Sequence, residues 1–226
     1  MSYHAMAAIK EAEVIVGFKT YLKFLGGLLD EKEIVDSGMR KEVERCQIAV
    51  EKARAGQKVA IVSSGDAGVY GMAGLILEIV GNEDLEVEIV PGITAANAAA
   101  ASLGAPLMHD YAVISLSNLL TPWEKITKRL ACAAEGDFII ALYNPRSRGR
   151  REQIVEAQRI ISEKRDASTP VGIVRNAKRE GEEVVITTLG EMLNHEIDMF
   201  TMVIIGNSCT FANDKYMITP RGYKDI

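Results

Sequence analysis

Over residues 41–55, Val43, Cys46, Val50 and Ala53 recur at helical spacing among charged neighbours, and Gly56 follows as a stop. This predicts an amphipathic helix. A continuous apolar run comes next, Val59-Ala60-Ile61-Val62, bounded by Lys58 and by Ser63-Ser64, as expected of a strand covered on both faces. The alternation then predicts a helix over 70–80, a strand over 87–90 and a small-residue helix over 94–103. Around Pro106 to Tyr111 the rhythm breaks, which divides the chain into a parallel-sheet domain over 1–110 and a second α/β domain over 111–226. In the second, Thr121-Pro122-Trp123-Glu124 predicts a helix start, with Thr121 as cap and Pro122 in the first turn, running to about Ala134. Strands are predicted over 112–115, 138–143, 171–174, 183–187 and 202–205, with a helix over 151–163, so this domain carries a mixed sheet.

The chain has 226 residues, 48% of them hydrophobic and 25% charged, which suits one large packed core or two small ones. No apolar run approaches the roughly 20 residues of a membrane-spanning helix, and residues 1–13 lack the pattern of a signal peptide. A cytoplasmic protein is expected. The net charge of −5 argues against nucleic acid as a partner, because phosphate binding leans on basic surfaces. Cys46, Cys132 and Cys209 lie far apart with no histidine at ligand spacing, so neither a metal site nor a disulfide framework is expected.

Chemistry concentrates at three turns. Ser63 to Gly71 (SSGDAGVYG) leaves a strand and enters a helix at the carboxyl edge of a sheet, where open α/β folds bind ligands. Gly65 and Gly68 permit close backbone approach, and Asp66 offers a carboxylate to a cationic ligand. The same segment also reads as a tight turn with Asp66 as helix N-cap. The dinucleotide fingerprint GxGxxG and the P-loop are both absent. The second turn, Val90-Pro91-Gly92-Ile93-Thr94-Ala95, ends a strand and opens an alanine-rich helix, with Thr94 and Ala95 at its mouth. The third, Leu142 to Arg151, sets Arg146, Arg148, Arg150 and Arg151 before a helix whose dipole favours anions, which calls for an anionic partner or else marks a solvated basic loop. Of the three histidines, His109 is the candidate proton carrier, because it sits at the domain junction.

These segments resemble the tetrapyrrole methyltransferases, together with Ser37-Gly38-Met39-Arg40-Lys41-Glu42, Gly104 to Asp110, Gly172 to Ala177 and Ile204 to Ser208. The Ser-Gly-Met-Arg-Lys-Glu and Tyr-Asn-Pro-Arg-Ser stretches resemble the branch that methylates carbon 17 of precorrin-3B or its cobalt counterpart. The resemblance implies two α/β domains with S-adenosylmethionine in the cleft between them and a homodimer. It implies that Ser64, Gly65, Asp66, Val69, Thr94, Ala95, Tyr143, Asn144 and Ala177 line the cofactor. Arg40, Lys41, His109, Arg146 and Arg148 would then meet the carboxylates of the tetrapyrrole. Methyl transfer with ring contraction, in cobalamin biosynthesis, is the implied reaction; no side chain stands out as a catalytic base. Other readings are a relative acting at a different carbon or on a diphthamide precursor, or a non-catalytic nucleotide-binding domain of the same fold. The family opens with a strand and a Gly-Pro-Gly-type loop, whereas residues 1–13 here resemble the helix after it, so that first strand is expected to be missing.

Overall fold

A computed structural model of the protein describes residues 1–38 and 41–223. The chain forms two compact units, Met1–Thr94 and Ala95–Ile226.

The first unit is built on a short parallel sheet. Helix α1 (Tyr3–Glu11) is capped by the Ser2 side chain, which accepts from the Ala5 amide. Strand β1 (Val14–Phe18) follows, then a helical turn α2 (Lys19–Leu22), a 3-10 stretch (Lys23–Leu29) and β2 (Glu33–Ser37). Helix α3 (Glu42–Arg54), β3 (Val59–Val62) and α4 (Ala73–Val80) complete the set. The strands lie in the order β2-β1-β3, all parallel. Alternation in β1 divides the packing: Val14 and Val16 meet Cys46, Val50 and Ile76, whereas Ile15 joins Ile9 and Leu22 on the opposite face.

Three sequence expectations change here. Strand β3 is only half-buried, not covered on both faces, because it lies at the end of the three-stranded order and no strand among the described residues pairs with its outer edge. Residues 87–90 form no strand among the described elements, although Val87 still packs on the core of this unit. In α3 the buried positions are Arg45, Cys46, Ala49 and Val50, and Val43 faces solvent at 53% exposure, because the covering sheet selects a stripe one step round from the predicted one. Gly56 does follow α3 with a left-handed φ of 87°.

The second unit opens with α5 (Ala95–Leu103) and β4 (Gly104–Ala105). It continues through β5 (Tyr111–Ser115), α6 (Trp123–Glu135), β6 (Ile139–Tyr143), α7 (Glu152–Ser162), β7 (Pro170–Arg175), β8 (Glu183–Thr188) and β9 (Thr201–Ile205). A hairpin of β10 (Phe211–Ala212) and β11 (Met217–Ile218) ends it, with β11 parallel to β4. The five-stranded sheet runs β5-β6-β9-β7-β8, parallel at β5-β6 and antiparallel elsewhere, the predicted mixed sheet. Helices α6 and α7 bury Ile126, Leu130, Ile154 and Ile161 against Ile114, Leu142, Ile173 and Val203 on one face. Leu103 of α5 covers the other: a Cβ on Gly172 would stand 2.3 Å from its side chain. That contact allies α5 with the second sheet, so the units part upstream of the Pro106–Tyr111 break.

Helix α6 starts one residue later than its capping signature predicts. Pro122 is extended and occupies the N-cap position with no side-chain cap bond, so Thr121 does not serve as cap. Buried Arg165 ties three segments of this unit together, donating to the carbonyls of Ala134, Phe138 and Gly206 and pairing with Asp137 at 2.9 Å.

Candidate functional site

The Ser63–Gly71 turn is held by its own polar groups. Asp66 Oδ1 accepts from the amides of Gly68, at 2.8 Å, and Val69, at 3.0 Å. Its second oxygen, Oδ2, accepts from the Gly92 amide at 2.8 Å. Those three amides, Gly92 foremost, hold the carboxyl below its ordinary range. Asp66 is therefore not the N-cap of α4, which starts at Ala73; it locks the first turn onto the second. The lock requires glycine twice. Gly65 has φ of 80°, and a Cβ on Gly92 would lie 2.1 Å from the Gly65 carbonyl oxygen. At the far end the Ser63 hydroxyl accepts from the Met72 amide. Ser64, Gly65, Asp66 and Val69 thus share one rigid turn on the first unit, and Thr94 is the last residue of that unit.

In the second unit α5 gathers the remaining positions. The Ala96 amide, next to Ala95 at the helix start, donates to the buried Tyr143 hydroxyl at the end of β6. Asn144 follows with φ of 50°, its side chain donating to Ser115 Oγ and its carbonyl accepting from Arg150 Nη1. Ala177 lies between Asn176 and Lys178, both in the left-handed region. Glu182 clamps this turn to α5: its Oε1 accepts from the Lys178 amide at 2.8 Å and from the Ser102 hydroxyl. Ser102 first and Lys178 second lower its pKa. Ala95, Tyr143, Asn144 and Ala177 are thereby organised around one helix and the strand ends beside it.

The expected tetrapyrrole contacts are more dispersed. Arg40 lies outside the described residues. Exposed Lys41 pairs with Glu44 in the first turn of α3. His109 is exposed and stands 3.7 Å from Asp110. Arg148 is exposed at the loop tip and Arg146 partly covered. No local pattern marks Ser115, Ser102 or Glu182, whose long-range hydrogen bonds span 29 or 80 residues, and for Arg150, tied to Asn144 six residues upstream, the run of arginines is the one sequence signal. The described residues contain no cluster of His, Cys, Asp or Glu able to hold a metal ion, and no helix long and apolar enough to cross a membrane.

Comparisons with known proteins agree with this architecture. The family described as Tetrapyrrole (Corrin/Porphyrin) Methylases matches residues 1–193. The chain is 51% identical over 225 residues to the probable cobalt-factor III C(17)-methyltransferase of Salmonella typhimurium, covering 99% of this chain and 93% of that protein. It is 53% identical to the cobalt-factor III methyltransferase of Priestia megaterium, again over 99% of this chain, and spans 43% of that relative's length. Among solved structures, the methyltransferase CobJ superposes with a TM-score of 0.92 at 35% identity, over 97% of this chain and 93% of that one. With a family match over most of its length, the chain belongs to the tetrapyrrole methylases.

Proposed function

We propose that the protein transfers a methyl group from S-adenosylmethionine to carbon 17 of precorrin-3B or its cobalt-bearing counterpart, with ring contraction, in cobalamin biosynthesis. The observation that carries this reading is the 51% identity, along nearly the full length of both chains, to a relative named for that position. The geometry of the turns is compatible with it. Glycine and alanine at the mouths of the turns leave main-chain groups as the contacts for a nucleoside and an amino-acid moiety. Ser64, Gly65, Val69 and Thr94 on the first unit, and Ala95, Tyr143, Asn144 and Ala177 on the second, would hold the methyl donor. Asp66 would hold it indirectly, because its carboxylate is engaged by three amides.

When bound, S-adenosylmethionine supplies an electrophilic methyl on a sulfonium sulfur. The protein's task is alignment of a ring carbon with that methyl, which reduces the barrier without a dedicated nucleophile. The Asp66–Gly92 lock and the Glu182 clamp supply the rigidity this needs. Arg40, Lys41, His109, Arg146 and Arg148 would meet the substrate's carboxylates. A homodimer in the cytoplasm completes the reading, on the family resemblance and the lack of any membrane-spanning helix among the described residues.

The test is incubation with methyl-labelled donor and the metal-free and cobalt-bearing substrates side by side, with the product resolved by mass and NMR spectroscopy. Label on carbon 17 of a contracted ring is expected. Label on another carbon, or none with either substrate, rejects the proposal.

A further inference from the structure

We infer that Arg150, ahead of Arg146 and Arg148, is the principal residue of the 144–151 loop to take a carboxylate of the tetrapyrrole, and so acts as a specificity-determining cation beside the methyl-transfer site. This rests on the proposed function and adds to it a residue and a ligand group.

Four arginines lie in or next to this loop, and the structure separates them. Arg148 and Arg151 are exposed, where solvent and salt weaken any charge contact. Arg146 is partly covered, but no hydrogen bond among the described residues fixes its guanidinium. Arg150 is both covered and fixed. Its Nη1 donates to the Asn144 carbonyl at 3.1 Å. Its backbone exchanges two hydrogen bonds with Ser147, closing a tight turn that sets where the side chain leaves the loop.

That guanidinium pairs with no carboxylate among the described residues, in contrast to Arg54, Arg159, Arg165 and Arg175, each of which has an acidic partner. Burial alone moves its pKa, downward. Partly withdrawing a cation from water with only a carbonyl in return is unfavourable, and an arriving anion would reverse that balance. The remaining donors of the planar fork suit a carboxylate, which can be held bidentately. The tether also places the cation one hydrogen bond from Asn144, itself held in a left-handed conformation beside Tyr143. A substrate carboxylate at Arg150 would therefore register the macrocycle against the residues proposed to hold the methyl donor.

The experiment compares wild type with Arg150→Gln and Arg150→Lys by spectrophotometric titration with cobalt-precorrin-3 and calorimetry with S-adenosylhomocysteine. Arg150→Gln is expected to weaken tetrapyrrole binding about tenfold or more, as loss of a charge-assisted pair does, while S-adenosylhomocysteine affinity stays within about twofold. With the fully esterified tetrapyrrole, the difference between wild type and variant should vanish. Arg148→Gln should have a smaller effect that added salt erases. Unchanged tetrapyrrole affinity in Arg150→Gln, or an equal loss for both ligands, overturns the inference. Should Arg150→Gln not fold, Arg150→Lys decides, because a lysine keeps the charge but not the fork: several-fold weaker tetrapyrrole binding supports the inference and wild-type binding overturns it. Wild-type protein that binds neither tetrapyrrole rejects the proposed function itself, a result distinct from binding that survives Arg150→Gln.

Discussion

The Asp66 carboxylate accepts the Gly92 amide at 2.8 Å, joining two turns that lie 26 residues apart in the chain. The same side chain closes its own turn on Gly68 and Val69, so one carboxylate organises all three contacts. Asp66→Ala should lower stability by about 2 kcal/mol, since bonds to a charged acceptor contribute more than neutral ones. It should weaken S-adenosylhomocysteine binding at the same time. Urea unfolding and calorimetry would check both; wild-type values in either would separate the turn from that property.

Asp66 also makes a prediction about pH. Its folded pKa is depressed, so its contribution to stability is fully present above the unfolded value of about 3.9 and is lost as pH falls through the folded value. The stability difference between wild type and Asp66→Asn should therefore be constant from neutral pH to about pH 5 and shrink on further acidification. Urea midpoints measured from pH 7 down to pH 3 give the curve. A difference that grows towards acid would contradict the assignment.

Gly92→Ala puts a methyl 2.1 Å from the Gly65 carbonyl oxygen; that oxygen is backbone and a Cβ has no rotamer, so neither can step aside. The lock should open. We expect destabilisation of about 1–3 kcal/mol, the usual range for forced overpacking, with cofactor affinity falling further than a surface alanine substitution would produce. Thermal unfolding together with calorimetry tests this.

Tyr143→Phe removes only the hydroxyl that accepts the Ala96 amide at the start of α5. The interaction is buried, so the stranded donor should cost about 1–3 kcal/mol. Because the phenyl ring keeps its place, the fold should persist while the α5 amides exchange faster. Native-state hydrogen exchange at Ala96 is the direct readout, and unaltered protection there would show that the hydroxyl is dispensable.

Arg165→Ala would strand the acceptors of Ala134, Phe138 and Gly206 and leave Asp137 without its cation. Asp137 is half-exposed, so the charge pair itself contributes little, and the cost of about 1–3 kcal/mol comes from the stranded buried carbonyls. Denaturant unfolding should show a loss of that order. Arg165→Lys should recover only part of it, because an ammonium cannot span three divergent carbonyls.

Much of the fold was legible along the chain. Residues 41–55, 121–134 and 151–163 show helical spacing, and each holds a helix displaced by a residue or two. The strands of the second sheet were legible for the same reason, as short β-branched runs. Strand β1 is not marked by the pattern: four apolar residues and Gly17 directly between two helical stretches carry no periodicity that separates strand from helix. The predicted strand at 87–90 shows the converse, an alternating segment with no ladder partner among the described residues.

The turns that carry the proposed site were recognisable from glycine, proline and asparagine at strand ends, because those residues mark where the backbone must bend sharply. Sequence alone thus determined the fold class, the strand-to-helix turns and the family likeness, all of which follow from local patterns. Tertiary structure alone decided what Asp66 does, what buried Arg165 ties together, and that Glu182 holds the Ala177 turn onto α5. Each of these depends on a hydrogen bond or on burial by residues remote in the chain, and no local pattern records which distant amide, hydroxyl or carbonyl a charged side chain will find.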